Sequence, residues 1–328
     1  MIAIIVTTIS PSIASGQSTK VQNSIQIAFG GDVHAEYPVA KQIAEEKSVL
    51  GKAESIFKSA DFAVVNLETA ITEHTVKREK QYNFKSKIDL LNNLKISRID
   101  LVSIANNHTF DYNKKGFLDT LKNLQKANLA YVGGGITEEL AYDYKTVELN
   151  GIKVGFLGLA MVNGGPGSVA STNKAGTTNG WDDRKSISAV KRAKKFNDIV
   201  VVLAHWGAEL EKCPRESEVK RASAWLNAGA TAVIGSHPHV IQGMAKNGSK
   251  FTAYSLGNLA FYSKKKIARE TGVLLLTFDK SGVIESELLP YEIDPRKGVV
   301  GDISEKEKAR RAKEIEKLSN PAYCKTIS

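Results

Sequence analysis

The residues of this sequence best suited to chemistry are histidines and carboxylates that each follow a short apolar run. The chain of 328 residues has six histidines, and five of them lie in such positions. A single histidine after a strand is more often packed than ligating, but five of them joined by Asp32 and Glu68 predict a metal centre. The motifs are Asp32-Val33-His34, Asn66-Leu67-Glu68, Asn106-Asn107-His108, His205-Trp206-Gly207 and His237-Pro238-His239.

The donor types narrow the kind of metal site. Imidazole and carboxylate ligands without thiolates suit Zn, Mn or Fe, and they argue against a structural zinc finger. The two cysteines, Cys213 and Cys324, are too few for a cysteine-based zinc site. They form one disulfide or remain two thiols, and the sequence leaves both alternatives open.

Apolar runs alternate with longer amphipathic stretches, which predicts an α/β protein. Early strand–helix alternation followed by late hairpins indicates mixed sheets covered by helices, and ligands in such folds collect beyond the carboxyl ends of the strands. The expected strands are 25–29, 62–65, 101–104, 147–149, 153–159, 199–203, 232–234, 251–254, 273–278 and 283–289. The expected helices are 39–59, 89–96, 115–127, 183–196, 216–228 and 305–318. Residues 162–180 are predicted to form a long loop.

The five motifs, in this order, resemble the ligand pattern of the calcineurin-like metallophosphoesterases. Together with Tyr254-Ser255-Leu256-Gly257-Asn258 they resemble more closely the CapA-type capsule-synthesis family, which is associated with poly-γ-glutamate. The resemblance covers roughly residues 25–289. It implies a four-layer αββα sandwich, in which helices flank two mixed β-sheets. It also implies one such domain over residues 25–300, between a leader-like segment (1–24) and a charged C-terminal helix and tail (301–328).

The resemblance further implies two divalent metal ions. One would be bound by Asp32, His34, Glu68 and His239, and the other by Glu68, Asn107, His205 and His237. His108 would remain free to donate a proton to a leaving group. Taken singly, Asn107 could instead cap a helix, and Glu68 could lie in a surface ion pair.

Two positions depart from the patterns of these families. Glu68 stands where the phosphoesterases usually carry aspartate, so phosphatase activity does not follow from the resemblance. His34 completes Asp-x-His, where many capsule proteins have Gly-Asp-x-Met, and this strengthens the prediction of metal binding.

Two functions are consistent with the sequence. The first is synthesis, assembly or export of a poly-γ-glutamate capsule together with capsule-synthesis membrane proteins. The alternative is a metal-dependent phosphoesterase or other hydrolase acting on a small or lipid-linked substrate, and catalysis itself is left open. The chain has 45 Lys and Arg against 35 Asp and Glu, a net charge of +10, which favours an anionic partner. No basic motif studded with aromatic residues is present, so nucleic acid is not an expected partner.

The N-terminal residues predict export. Residues 1–9 are apolar, and residues 12–16 are small apart from Ile13, as around a signal cleavage site, although the first basic residue is Lys20. We expect a protein held at, or just outside, the cytoplasmic membrane. No later segment has the roughly 18 apolar residues that a membrane-spanning helix needs.

Several further residues have two interpretations each. Gly133-Gly134-Gly135 forms a tight turn or an anion cradle, and Trp206 packs in the core or lines the pocket. Asp111 orients His108 or begins a helix. Ser255 and Asn258 lie beside the site or satisfy backbone groups. The sixth histidine, His74, is expected at the surface.

Overall fold

A computed structural model describes residues 23–327 of the chain. The expected leader over residues 1–24 lies, apart from its last two residues, outside the described part. Within residues 23–327, no helix is both long enough and apolar enough to cross a bilayer. The division into 1–24, 25–300 and 301–328 stays a prediction.

The elements alternate as the sequence pattern predicts. In chain order the strands are β1 Ile25–Val33, β2 Phe62–Leu67, β3 Ala70–Ile71, β4 Lys85–Ser86, β5 Leu101–Ser103, β6 Ala130–Val132, β7 Gly134–Gly135, β8 Lys145–Leu149, β9 Ile152–Ala160, β10 Gly176–Thr177, β11 Ile199–His205, β12 Ala232–Ser236, β13 Met244–Asn247, β14 Lys250–Ala253, β15 Asn258–Ala260, β16 Glu270–Asp279, β17 Gly282–Ile293 and β18 Val300–Gly301. The α-helices are α1 Val39–Ala44, α2 Glu54–Ser59, α3 Asp89–Ile96, α4 Asn113–Lys126, α5 Glu138–Ala141, α6 Asp183–Phe196, α7 Glu216–Ala228, α8 Glu305–Leu318 and α9 Pro321–Ile327. Short 3-10 helices span Gly51–Ala53 and Lys266–Arg269.

Two large sheets carry the motifs. The first has eight strands in the order β18-β17-β16-β1-β2-β5-β6, with β15 also paired to β1. The second has six strands in the order β13-β14-β12-β11-β9-β8. Strands β1, β2, β5 and β6 run parallel, as do β9, β11, β12 and β14. Because the carboxyl ends of parallel strands meet at one edge, each sheet gathers its strand-end residues there.

Three apolar clusters separate four layers. Between the two sheets, Phe29 and Val64 of the first pack with Phe156 and Val201 of the second. Alternate residues of the first sheet point outwards against α1 to α4, and the outer face of the second sheet is covered by α6 and α7. The period-2 alternation of side chains along a strand is what allows one sheet to serve two cores. The predicted four-layer αββα sandwich is therefore confirmed.

Helix predictions were accurate where apolar spacing was regular and wrong at one place. The helices expected at 89–96, 183–196, 216–228 and 305–318 have those bounds. The single helix expected over 39–59 is instead α1, a 3-10 turn and α2. Glu46 and Gly51 have φ angles of 55° and 53°, which a right-handed helix excludes. A side chain at Gly51 would meet the carbonyl oxygen of Val300 at 2.1 Å, so the chain breaks its helix there to let β18 approach.

The two cysteines form a disulfide. Cys213 lies in the loop before α7, and Cys324 lies in α9, with their Cα atoms 5.6 Å apart. The bond closes a loop of 111 residues and holds the C-terminal helices against the second sheet. Lys212 and Glu314 add an ion pair beside it. Of the two alternatives left by the sequence, the disulfide is the one found.

Removing this disulfide is expected to lower the free energy of unfolding by about 4 kcal/mol, since a loop of this length loses much entropy when it is closed in the unfolded chain. Chemical denaturation of the wild-type protein and of the Cys213→Ser, Cys324→Ser double variant measures the difference. Adding a thiol reductant to the wild-type protein should reproduce it, and the reductant should leave the double variant unchanged. Equal stability of the oxidised and reduced protein would contradict the prediction.

Candidate metal centre

Asp32 and Glu68 come from adjacent strands of the first sheet. Asp32 lies within β1 with Asn66 of β2 as its Cα partner, and Glu68 follows the end of β2. Both carboxylates are fully buried, so the surface ion pair considered for Glu68 is excluded. The Asn66 side-chain amide donates to Asp32 Oδ1 (2.8 Å) and to Glu68 Oε2 (3.3 Å). Asn66 thereby fixes the spacing of the two acids.

The loop after β5 is shaped by Asn106. Its Oδ1 accepts hydrogen bonds from the backbone N–H groups of His108 and Thr109 (both 3.0 Å), while its Nδ2 donates to the carbonyl oxygen of Leu67 (2.9 Å). These bonds join the loop to the end of β2. The neighbouring Asn107 is then placed with its Oδ1 2.8 Å from Nε2 of His205. Helix α4 begins only at Asn113, so Asn107 is not a helix cap.

The second sheet contributes three histidines. His205 is the last residue of β11, and its Nδ1 lies 2.9 Å from Oγ of Ser236. His237 and His239 lie in the turn after β12 with φ angles of 96° and 58°. Positive φ costs a non-glycine residue about 1–3 kcal/mol, and residues held in this way cluster at active sites and ligand-binding sites. The ring of His239 is held by Asn258 Oδ1 (2.8 Å) and lies 3.1 Å from Asp32 Oδ2.

The polar residues at the carboxyl ends of strands from both sheets thus lie close together. Two groups of potential ligands form there, with the donor atoms of each within 4.8 Å of one another. The first group is Glu68, His205 and His237, and the second is Asp32, Glu68 and His239. Glu68 belongs to both, and its Oε1 lies 3.7 Å from Nε2 of His205 and 3.7 Å from Nε2 of His239.

His34 lies beside these groups without belonging to either. Its ring stacks on Phe84 with centroids 4.6 Å apart and meets Phe261 edge-on at 4.0 Å. Its Nδ1 accepts a hydrogen bond from the backbone N–H of Glu36 (2.9 Å), which leaves Nε2 for another partner. The Phe261 ring also contacts the ring of His239, at 4.8 Å. His34 therefore borders the second group.

The donor set fits divalent metal ions. Three buried polar atoms of the site have no hydrogen-bond partner within the described residues: His34 Nε2, Glu68 Oε1 and His237 Nδ1. Buried polar atoms are nearly always paired, so three such atoms around one point indicate a partner of another kind. Imidazole nitrogens and carboxylate oxygens are the donors that Zn, Mn and Fe accept. Neither cysteine competes, because both sulfurs are in the disulfide.

His108 is held by a separate set of contacts. Its Nδ1 lies 2.7 Å from Oδ2 of the buried Asp111, so Asp111 orients the imidazole as one of its two interpretations predicted. Its Nε2 lies 3.8 Å from Oε1 of Glu68 and so faces the two ligand groups. Lys80 pairs with Asp111 and donates to the backbone carbonyl of Asn107 (3.0 Å). The ring of Phe84 stacks on His108 at 4.2 Å.

Burial sets the protonation states. It raises the pKa of Glu68 well above the ordinary value, and the charge of Asp32 adds to the effect. Burial also lowers the pKa of His34 and of His237 to about 3 and depresses the pKa of His205. These imidazoles are therefore neutral at physiological pH, and only a neutral imidazole offers its lone pair to a metal.

His239 and Asp32 form a coupled exception. Burial opposes the charge on each, but it is outweighed by their mutual hydrogen bond and attraction. The pKa of His239 therefore lies above its ordinary value and that of Asp32 below. A divalent cation beside Asp32 would take over the role of the His239 proton, since both neutralise the same carboxylate.

The protein stripped of metal by a chelator is expected to lose stability as the pH falls from about 6.5 to 4.5. Histidine has a pKa of about 6.5 in an unfolded chain, against about 3 for His34 and His237 in the folded protein. Between these values the unfolded chain binds protons that the folded protein does not. Each of these two histidines then lowers the free energy of unfolding by about 1.4 kcal/mol per pH unit.

Glu68 opposes this trend. Its raised pKa makes the folded protein bind an extra proton above about pH 4.5, so its contribution to stability is lost as the pH rises. The three histidines His34, His205 and His237 outweigh this single carboxyl group, so the free energy of unfolding still falls as the pH falls. Denaturation curves in chelator at several pH values measure the slope. The His34→Asn variant should show a shallower slope, and a flat profile for the wild-type protein would contradict the prediction.

The remaining interpretations are also resolved. Trp206 is fully buried, stacks on Trp225 and donates its Nε1–H to the carbonyl oxygen of Tyr254, so it packs in the core. Gly133 has a φ of 89° and lies against Ala105, as in a tight turn. The Ser255 hydroxyl accepts from the backbone N–H of Gly257, whereas Asn258 lies beside the site. His74 is surface-exposed near Asp119.

The chain is similar to bacterial capsule-synthesis proteins over most of its length. A sequence model of the family described as "Bacterial capsule synthesis protein PGA_cap" matches residues 26–263, well over half of the chain. The chain is 29% identical over 279 residues to the "PGA biosynthesis protein CapA" of Bacillus subtilis (strain 168), covering 82% of this chain and 72% of that protein. It is 30% identical over 248 residues to the "Capsule biosynthesis protein CapA" of Bacillus anthracis, covering 72% of this chain and 59% of that protein.

Similarity to solved structures is weaker. The crystal structure of a 5'-nucleotidase from Candida albicans SC5314 matches with a TM-score of 0.49 and 13% identity, covering 91% of this chain and 57% of that chain.

Proposed function

Because the chain belongs to the bacterial capsule synthesis protein family, we propose that it acts in the synthesis of a poly-γ-glutamate capsule through a dinuclear metal centre. The family match over residues 26–263 is the observation that carries the role. The name of the Bacillus subtilis relative, "PGA biosynthesis protein CapA", supports the polymer, and that of the Bacillus anthracis relative, "Capsule biosynthesis protein CapA", supports the role in capsule synthesis. The family resemblance found in the motifs is confirmed.

The ligand sets of the proposed centre contain the two groups of donor atoms and add His34 to one and Asn107 to the other. Asp32, His34, Glu68 and His239 would bind one ion, and Glu68, Asn107, His205 and His237 would bind the other. Glu68 is common to both, as its membership of both groups supports. Ions bound there would polarise a carbonyl or phosphoryl oxygen and activate water.

The chain's own residues then do the rest of the chemistry. Asn66 keeps Asp32 and Glu68 at a fixed spacing. His108 presents Nε2 towards the ligand groups, where it can give a proton to a leaving group, and Asp111 holds the other ring nitrogen. An amide nitrogen and an ester oxygen both leave more easily when protonated. Cleavage or transfer of a γ-glutamyl chain is therefore chemically open to this site.

We place the protein outside the cytoplasm, at the cytoplasmic membrane, with capsule-synthesis membrane proteins as its partners. The disulfide between Cys213 and Cys324 supports this location, because such bonds persist in oxidising compartments and are rare in the cytosol. The net charge of +10 supports an anionic polymer as ligand.

The role is tested by deleting the gene in its host and measuring surface poly-γ-glutamate. We expect the polymer to be lost and to return when the wild-type gene is restored. In parallel, the purified metal-loaded protein is given a panel of phosphomonoesters and a γ-glutamyl oligomer. An unchanged polymer level, with fast metal-dependent hydrolysis of a simple phosphomonoester, would establish the alternative of a phosphoesterase.

A further inference from the structure

A cavity of about 480 Å³ lies directly beside the ligand groups. His34, His108 and His239 line it, and the same lining includes Lys264 and Lys265. Its volume is in the range of pockets that bind small molecules or short polymer segments. A ligand long enough to fill this cavity would therefore reach both the proposed metal centre and the two lysines.

The two lysines are available to an anion. Both are exposed, and neither ammonium group contacts a carboxylate within residues 23–327. The loop that carries them is nevertheless anchored. Asn258, whose Oδ1 contacts the ring of His239, also donates from Nδ2 to the carbonyl oxygen of Ala268 (2.8 Å). The buried Asn258 thus anchors the loop of Lys264 and Lys265 to the site.

Aromatic rings surround the same cavity. Tyr37, Tyr82 and Tyr262 all line it, and their exposed fractions are 74%, 55% and 38%. Large aromatic side chains are normally more buried than this, and exposed apolar surface beside a pocket marks a binding site. Rings of this kind pack against the methylene groups and amide planes of an extended chain while their hydroxyl groups stay in water.

The charge in the cavity is not of one sign. Glu36 and Glu209 line it as well. Glu36 already accepts a hydrogen bond from the backbone N–H of Lys85 (3.0 Å). A densely charged polyanion would place some of its charges next to these carboxylates, which would repel them. A chain whose anionic groups are separated by neutral atoms can contact the lysines without placing a charge next to either glutamate. The arrangement therefore favours carboxylates spaced along an amide backbone.

We propose that Lys264 and Lys265, with Tyr82 and Tyr262, form a subsite that binds the free α-carboxylates of a γ-glutamyl chain and leads it to the metal centre. The proposal rests on the proposed function, and it names the part of the protein that recognises the polymer. Each γ-glutamyl unit carries one free carboxylate and a neutral amide backbone with methylene groups, which matches the lysines and the tyrosines respectively.

The test is the affinity of the full-length, metal-loaded protein for a fluorescent γ-glutamyl decamer. The Lys264→Ser, Lys265→Ser double variant should raise the Kd roughly tenfold, as expected for the loss of two solvent-exposed ionic contacts. A matched control is the Lys191→Ser, Lys195→Ser variant, which removes the same charge from the exposed face of α6. The control should bind like the wild type, and the methyl-esterified decamer should bind to none of the three proteins.

The outcomes separate this subsite from the proposed role. Equally weakened binding in both lysine variants would show that net charge alone attracts the decamer, and it would overturn the subsite. Unchanged binding by the Lys264, Lys265 variant would also overturn it, and so would the absence of binding by the wild-type protein. Tighter binding of polyphosphate than of the decamer, through the same lysines, would also overturn it. Loss of surface polymer on gene deletion with any of these results would leave the capsule role standing without this subsite. A decamer that binds through the lysines, with polymer unaffected by deletion, would contradict the capsule role instead.

Discussion

The wild-type protein is expected to bind two metal ions, and the Glu68→Gln variant is expected to bind neither. Glu68 is the residue common to both ligand groups, and its Oε1 is a buried acceptor that has no hydrogen-bond partner within residues 23–327. Glutamine has nearly the same shape but no charge, so the change removes the anionic ligand while keeping the packing. Two cations held close together repel each other, and without the shared carboxylate little offsets that repulsion. Elemental analysis after dialysis measures the stoichiometry.

The Glu209→Gln variant is the matched control. Glu209 lines the cavity next to the site but belongs to neither ligand group, and it is exposed. It should retain both ions. Circular dichroism of each variant verifies the fold, since the neutral glutamine also relieves the cost of burying a carboxylate. A Glu68→Gln protein that retained two ions would refute the assignment of Glu68 as the shared ligand.

The fold could be predicted from the sequence because its strands are continuous apolar runs. In a strand covered on both faces, such as β11, apolar and polar residues do not alternate, and the apolar run ends at a polar residue of the site. The expected strands were often short at this end. Strand β1 continues to Val33 and β11 to His205, so Asp32 and His205 lie within strands and not beyond them. Apolar runs locate strands well, but their ends are set by pairing with neighbours that the sequence does not reveal.

The site residues that the sequence did not single out are those that act through distant contacts. Asn66 was named only as part of the Asn66-Leu67-Glu68 motif, and nothing local indicates its contact with His205, which is 139 residues away. Phe84 and Phe261 touch three of the histidines from two separate loops, and no pattern in either loop indicates it. Lys80 lies in a stretch of charged residues, and nothing in that stretch indicates that it pairs with Asp111. Ligand types can be read from motifs, whereas the residues that hold them depend on tertiary packing.

His108 faces the ligand groups, where it can act as a proton donor. If His108 donates a proton to the leaving group, the His108→Asn variant should keep both metal ions and lose about 10²- to 10⁴-fold in turnover. The expected retention of metal follows from the separate contacts of His108, which is held by Asp111 and Phe84. The loss should depend on the leaving group, because p-nitrophenolate departs without a proton whereas an amine or an alkoxide does not. We therefore expect a small loss on p-nitrophenyl phosphate and a large one on a γ-glutamyl amide or an alkyl phosphate, whichever the wild-type protein cleaves.

Asp111→Asn provides the companion variant. Asp111 touches His108 and not the ligand groups, so its removal should give a smaller loss with the same dependence on the leaving group. A proton donor that is merely less well oriented still discriminates between leaving groups, whereas an altered metal centre would slow all substrates equally. Equal losses on both kinds of substrate, or loss of metal from His108→Asn, would therefore place His108 among the ligands and leave the leaving group to be protonated by water.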